Sequence, residues 1–355
     1  SALAAGCTAS FSSTEKQYMR ASLFGLARSR SQWTYKAAPM KWAAMVVSEP
    51  TKQFYGRSDA VNKYMMNCFG CLRAMLDYHF PIDIITEADL ESGSAVGYKV
   101  LILPNTACMS ATGLSAVRAF VAGRGGLVAT GAASLYDEQG AARTDYGLAD
   151  IFKANKSAAA VSLSSKVSVL QTVTDRNSQL LGKMLAPSGN ATTYNGNVFP
   201  VTVASGGTTM ATIYTDTTFT STYPFYINNQ TTGGRVAYFP SGIDGAYMQY
   251  SYPYEGVLLK DAVTWAASSQ PRVTIVGPKS LQVTFFTQNN GKRLVIHLLN
   301  ASNSRGGHAN PTQDVPLRDE AVPLYGIEVW FEDVTPTSVK LQPENLSLTT
   351  SQQGG

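Results

Sequence analysis

The sequence predicts an α/β protein: a parallel sheet with helices between its strands, a β-rich insertion, and then a small antiparallel β-sandwich. Three observations predict it. Short apolar strand-type runs alternate with helix-period segments from residue 41 onward. Between about 155 and 232 that alternation gives way to Thr, Ser, Gly and Val, and after Gln270-Pro271 only strand patterns remain.

Ser12-Ser13-Thr14-Glu15 has the spacing of a capping box, and Tyr18, Met19, Leu23, Phe24, Leu26 and Ala27 follow at helical period. This helix and an irregular link through Trp33 and Tyr35 make residues 1–40 the expected end of a preceding domain. The chain opens Ser1-Ala2-Leu3 without a methionine or a signal pattern, which suggests a processed product or a piece of a longer polypeptide.

Residues 41–270 are expected to form the α/β domain. Trp42–Val47 is a strand leading into Ser48-Glu49-Pro50. Ser58 opens a helix whose apolar positions Val61, Tyr64, Met65, Cys68, Leu72, Met75 and Leu76 recur at helical spacing up to His79. Pro81–Ile85 and Val100–Leu103 are strands, and Ser110 caps a short helix through Leu114, Val117, Phe120 and Val121. Gly126–Thr130 is the next strand, ending at Gly131-Ala132-Ala133-Ser134. Strands joined by helices of this length imply right-handed crossovers and parallel pairing.

Within the insertion, Ala160–Leu163, Val201–Val203 and Met210–Tyr214 read as short strands. The α/β pattern returns with the strand Arg235–Phe239 and a helix from Pro253 to Ala267. Residues 271–348 are the expected sandwich, with strands at Val273–Val276, Leu281–Phe286, Arg293–Leu299 and Gly326–Phe331. Asn290-Gly291 supplies a hairpin turn, Val339–Thr349 a last strand or tail, and 349–355 the end of the chain as a tail.

Composition excludes several classes of function. A net charge of +4 over 355 residues, with no dense Lys/Arg run, does not make a nucleic-acid surface. No apolar stretch reaches the about 20 residues of a membrane helix. Cys68-Phe69-Gly70-Cys71 has redox or metal spacing, but it sits inside a helical pattern with no second pair and no histidine beside it. It reads as two small buried hydrophobes, and no metal or cofactor is expected. Sequons at Asn155, Asn190, Asn229, Asn300 and Asn345 permit N-glycosylation and an extracellular or secreted location without requiring either.

Several segments, taken in order, resemble the C-terminal half of family 42 glycoside hydrolases, the β-galactosidase-like enzymes. They are Ser48-Glu49-Pro50 with Phe54-Tyr55-Gly56, Lys99–Asn105, Gly125–Gly131 with Ser134-Leu135-Tyr136-Asp137, Gly234–Pro240, and Val295–Asn300. The resemblance implies a flavodoxin- or amidotransferase-like sheet that lacks catalytic residues and serves trimerisation, followed by a β-sandwich. It also implies that the two catalytic glutamates belong to a preceding (β/α)₈ barrel, so no catalytic residue is expected in this chain. The partner would then be that barrel or a second copy.

Ligands on open α/β sheets sit at the carboxyl ends of the strands, which here present Glu49, Tyr55, Glu87, Asn105, Thr106, Ser134, Tyr136 and Asp137. Ser134 is the hydroxyl nearest the elbow position, where alanines occupy the turn. The tyrosines 223, 226, 247, 250, 252 and 254 cluster as Tyr223, Tyr226, Tyr247, Tyr250, Tyr252 and Tyr254, rings suited to stacking on carbohydrate or to a protein interface. Three readings stay open: a non-catalytic assembly portion of a glycoside-hydrolase-like protein, a carbohydrate-binding or structural glycoprotein, and a glycosidase using Glu49 and Asp137.

Overall fold

A computed structural model describes residues 17–169, 191–218, 220–230, 233–301, 322–332 and 334–352. The Ser12 capping box, Cys7, Asn190 and His308 lie outside the described residues. The described chain divides into two compact units, one of residues 41–269 and one of residues up to 40 together with those from 270 onward.

The chain enters the smaller unit through α1 (Gln17–Thr34) and β1 (Ala38–Pro39). The larger unit begins with β2 (Ala43–Val47), then π and 3₁₀ turns over Thr51–Met65 that run into α2 (Met66–Asp77). There follow β3 (Ile82–Thr86), α3 (Glu87–Glu91), β4 (Val100–Leu103), α4 (Ala111–Ala122) and β5 (Gly126–Thr130). Next come α5 (Ala149–Phe152), β6 (Ala154–Lys156), β7 (Val161–Val169), β8 (Ala191–Val198), β9 (Val201–Val203), β10 (Gly207–Tyr214), β11 (Thr222–Gln230) and β12 (Arg235–Phe239). Two helices, α6 (Ile243–Tyr250) and α7 (Pro253–Ala267), close the unit.

One nine-stranded sheet organises it, in the order β3-β2-β4-β5-β12-β11-β10-β7-β8. The first five strands are parallel, as the alternating pattern predicts. The remaining four are antiparallel, so the sheet is mixed. The β-rich segment thus prolongs the main sheet from β12, and β6 and β9 form a separate antiparallel pair.

Side-chain alternation sorts every central strand between two cores. Ala43, Met45, Val100, Ile102, Val128, Ala237 and Phe239 face the core shared with α2, α6 and α7. Ala44, Val46, Leu101, Leu103, Leu127, Ala129, Val236 and Tyr238 face the core shared with α3, α4 and α5. A sheet buried on both faces reads as unbroken apolar runs, and those runs made these strands legible.

In the smaller unit, β13 (Val273–Val276), β14 (Leu281–Gln288), β15 (Arg293–Asn300), β16 (Glu328–Phe331), β17 (Val339–Leu341) and β18 (Leu346–Leu348) follow. Where a sandwich was expected, the described residues form three small antiparallel sheets: β1-β14-β15, β13-β16 and β17-β18. Met40, Val273, Ile275, Leu281, Val283 and Phe285 make a core under the first two, to which the β17-β18 hairpin adds no residue. The single last strand expected over Val339–Thr349 is a two-stranded hairpin.

Candidate functional site at the carboxyl ends of the parallel strands

The chain runs from β2 outward to β3 and then crosses back to β4 on the other side of β2. Such a reversal leaves a crevice outside the carboxyl ends of the two strands, where open sheets bind ligands. Three turns meet near that end: Ser48–Thr51 after β2, Asn105–Cys108 after β4, and Gly131–Ser134 after β5.

Internal hydrogen bonds occupy most of their polar groups. Thr51 N–H donates to Ser48 Oγ at 3.0 Å, the two hydroxyls lie 2.7 Å apart, and Cys108 N–H donates to Thr51 Oγ1 at 2.9 Å. Tyr64 OH accepts the Ser48 N–H at 2.6 Å. Burial pushes the Cys108 thiol up to about 11, which keeps it from serving as a thiolate near neutral pH.

Asn105, with a left-handed φ of 44°, donates from Nδ2 to the Lys63 carbonyl at 2.7 Å and accepts the Ala132 N–H on Oδ1 at 2.7 Å. Its own N–H donates to Thr130 Oγ1 at 2.9 Å, and that hydroxyl donates to Asp244 Oδ2 at 2.6 Å. Asp244 is fully buried, and desolvation lifts its carboxyl to about 7 against the lowering effect of the Thr130 bond. Gly131 has φ +59°, and a Cβ there would stand 2.3 Å from Asn105 Oδ1, so the close approach requires glycine.

The elbow position carries no reactive group. Ala132, Ala133 and Ser134 are completely buried. Ser134 donates its N–H to the Thr106 carbonyl at 2.9 Å, and its Oγ accepts the Leu148 N–H at 3.1 Å. Its hydroxyl oxygen therefore braces the next loop.

The other strand-end residues divide into two groups. Glu87, half-buried at the start of α3, is pushed up to about 7 by burial, with hydrogen bonding to Ser48 opposing the rise. Tyr55 and Tyr136 pack ring against ring with centroids 5.3 Å apart, and burial, first, then Tyr136 raise the Tyr55 hydroxyl. Glu49 instead points to solvent, where Gln53 and Lys52 hold it below its usual range. Asp137 Oδ1 accepts the Gln139 and Ala141 N–H groups at 3.0 and 2.8 Å, which folds its own loop. Held low and exposed, Glu49 is not prepared as a general acid.

The tyrosine cluster separates as well. Tyr226 and Tyr247 belong to the core, at 6% and 1% exposure, and so offer no interface. Tyr223 is partly buried on β11. Tyr250, Tyr252 and Tyr254 stack in sequence with centroids 5.6 and 5.4 Å apart, their faces turned to one another. Among the sequons, Asn229 is buried and donates to the Ile151 carbonyl at 2.9 Å, so the folded chain cannot carry a glycan there. Asn155 donates to Asp145 Oδ2 at 2.6 Å, Asn300 to the Val322 carbonyl at 2.7 Å, and Asn345 accepts from Lys340 and Gln342 at 3.2 and 3.3 Å.

Sequence reasoning missed Thr130, Asp244 and Glu255. Glu255 is 1% exposed, neither carboxyl oxygen has a hydrogen-bond partner among the described residues, and burial lifts it to about 8. The available signal was an acid amid buried apolar neighbours: Asp244 beside Ile243, Ala246 and Tyr247, and Glu255 before Val257, Leu258 and Leu259. Among the described residues no group of three or more His, Cys, Asp or Glu is placed to hold a metal, and no helix is long and apolar enough to cross a membrane.

No protein family and no curated protein matches the sequence. Solved structures do share the fold. α-L-Fucosidase isoenzyme 2 from Paenibacillus thiaminolyticus aligns with a TM-score of 0.66 at 19% identity, over 93% of this chain and 48% of that one. The β-galactosidase from Bacillus circulans sp. alkalophilus aligns with a TM-score of 0.59 at 14% identity, over 89% and 45%. Gan42B, a GH42 β-galactosidase, aligns with a TM-score of 0.61 at 15% identity, over 83% and 39%. At these identities the likeness is one of fold, and this chain spans less than half the length of each of these glycoside hydrolases.

Proposed function

We propose that this chain is a non-catalytic, assembly-forming portion of a glycoside-hydrolase-like protein, built on an amidotransferase-like sheet whose reaction centre has been filled. The observation that carries the reading is the turn after β5, where Ala132, Ala133 and Ser134 are wholly buried and the Ser134 hydroxyl accepts a backbone bond. A working nucleophile needs a reachable atom with a base in hydrogen-bonding range. Here Asn105, Thr130 and Asp244 direct their polar groups at the protein's own backbone and at each other.

Two further observations support it. The chain aligns with less than half of each hydrolase it resembles, which fits a part that works beside a hydrolytic domain. Large apolar side chains of the larger unit also stand in solvent, with Ile84 on the edge strand β3 at 50% exposure and Val96 at 78%. Such residues suit burial against a second copy or a barrel segment.

Sedimentation velocity of the 355-residue chain over a wide concentration range, with a chromogenic β-galactoside assay on the same sample, tests the reading. The expected result is concentration-dependent self-association with no hydrolysis. A chain that stays monomeric throughout, or that hydrolyses the glycoside and loses the activity in Glu87→Gln, overturns it.

A further inference from the structure

The smaller unit contains a cleft of about 530 Å³ between the end of α1 and the turn joining β14 to β15, within the about 300–1,000 Å³ typical of small-molecule sites. Its floor is fixed by Gln288, which is 7% exposed. Gln288 Nε2 donates to the Tyr35 carbonyl at 2.8 Å and to the Gln32 carbonyl at 3.3 Å, while Oε1 accepts from Arg293 at 3.5 Å. One buried amide therefore ties the helix end to the strand end at the base of the cleft and meets a guanidinium.

The walls have a consistent chemistry. Asn289 and Asn290, both with left-handed φ near 54–55°, add two amides at the turn. Tyr35 is 69% exposed, and Lys36 Nζ stands 5.4 Å from its ring centroid. Arg293 and Lys36 bring two positive charges, and none of the described residues lining the cleft is acidic. Amides pair with hydroxyl groups, an exposed ring takes the C–H face of a pyranose, and a guanidinium or an ammonium takes a carboxylate.

We propose that this cleft binds an acidic sugar, a hydroxyl-rich pyranose bearing a carboxylate, as in a uronate unit of a polysaccharide. A bare inorganic anion would use only Arg293 and Lys36. A neutral sugar would give neither charge an anionic partner. The uronate uses the whole lining, and the site stands independently of the assembly role proposed above.

Calorimetric titration of the full chain with a galacturonate trisaccharide, the matching neutral galactose trisaccharide and inorganic phosphate tests this. The uronate is expected to bind, the neutral sugar at least tenfold more weakly, and phosphate alone no better than the neutral sugar. Arg293→Gln is expected to lower uronate affinity at least tenfold, Lys36→Gln several-fold, and Tyr35→Ala several-fold. Lys36 and Tyr35 are exposed, so their substitution leaves the fold intact and the result readable even if the Arg293 change disturbs Gln288. Equal binding of phosphate and uronate, no uronate binding, or binding unchanged in Lys36→Gln and Tyr35→Ala overturns the proposal.

Discussion

Thr130 Oγ1 donates to Asp244 Oδ2 at 2.6 Å while accepting the Asn105 N–H at 2.9 Å, so one hydroxyl joins the end of β5, the turn after β4 and the first turn of α6. Both partners are buried, and removing the hydroxyl strands each of them. Thr130→Val keeps the shape of the side chain and should cost about 1–3 kcal/mol for each stranded group. Urea unfolding of the variant should show a lower midpoint with an unchanged slope. A midpoint equal to that of the parent would mean that this hydroxyl is not holding the turns.

Asp244 and Glu255 together predict an unusual pH profile. Burial lifts their folded-state carboxyls to about 7 and about 8, above the 3.8 and 4.5 of an unfolded chain. Between those limits each of the two holds a proton that the unfolded chain releases, so their contribution to stability is fullest below pH 4 and falls as pH rises toward 8. Each group contributes a slope of up to about 1.4 kcal/mol per pH unit. Glu255→Gln should flatten the profile over the upper part of that range and raise the melting temperature at pH 8 more than at pH 5. An unchanged profile would show that Glu255 ionises as freely folded as unfolded.

The parts of the fold legible in the sequence are those whose burial is two-sided. Val100–Leu103 and Gly126–Thr130 are buried on both faces, and as short apolar runs bounded by turn residues they read as buried strands. The strand β8, Ala-Thr-Thr-Tyr-Asn-Gly-Asn-Val, has no such run: among its described side chains only Tyr194 and Val198 are buried, and Asn and Gly weaken its strand propensity. In β11 the segment Tyr223-Pro224-Phe225-Tyr226 looked like a surface cluster, since pairing with β10 and β12 is a long-range property. The site was legible only as a list of strand-end residues. That Ser48 and Thr51 meet Cys108, or Thr130 meets Asp244, depends on contacts across 57 to 114 residues that no local spacing encodes.

Gly70 governs how closely α2 and α6 approach. A Cβ there would lie 1.8 Å from the Asp244 carbonyl oxygen, a distance only a backbone shift relieves. Gly70→Ala should therefore destabilise by about 3 kcal/mol, against the usual helical gain from alanine. Gly25 in α1 has nothing within 4 Å of the same position, and Gly25→Ala should raise stability by about 0.5–1 kcal/mol. Thermal melts of the two variants should shift in opposite directions. Equal shifts would show that the contact between the helices is not close enough to exclude a methyl group.

Asn229 separates a sequon in the sequence from a glycan on the protein. Its side chain is 4% exposed on β11 and donates to the Ile151 carbonyl, so it joins the end of α5 to the sheet. Attaching a sugar would replace one of that nitrogen's two hydrogens and place a polar chain inside a packed core, which the fold cannot accommodate. Expressed through a glycosylating secretory route, the folded chain should carry no glycan at Asn229, as read by peptide mass spectrometry after enzymatic deglycosylation in heavy-oxygen water. Asn229→Ala should cost about 1–3 kcal/mol, because the Ile151 carbonyl loses its partner. Substantial occupancy of Asn229 in cooperatively melting protein would contradict the packing of β11 against α5. A neutral Asn229→Ala would instead show that the Ile151 carbonyl finds another donor.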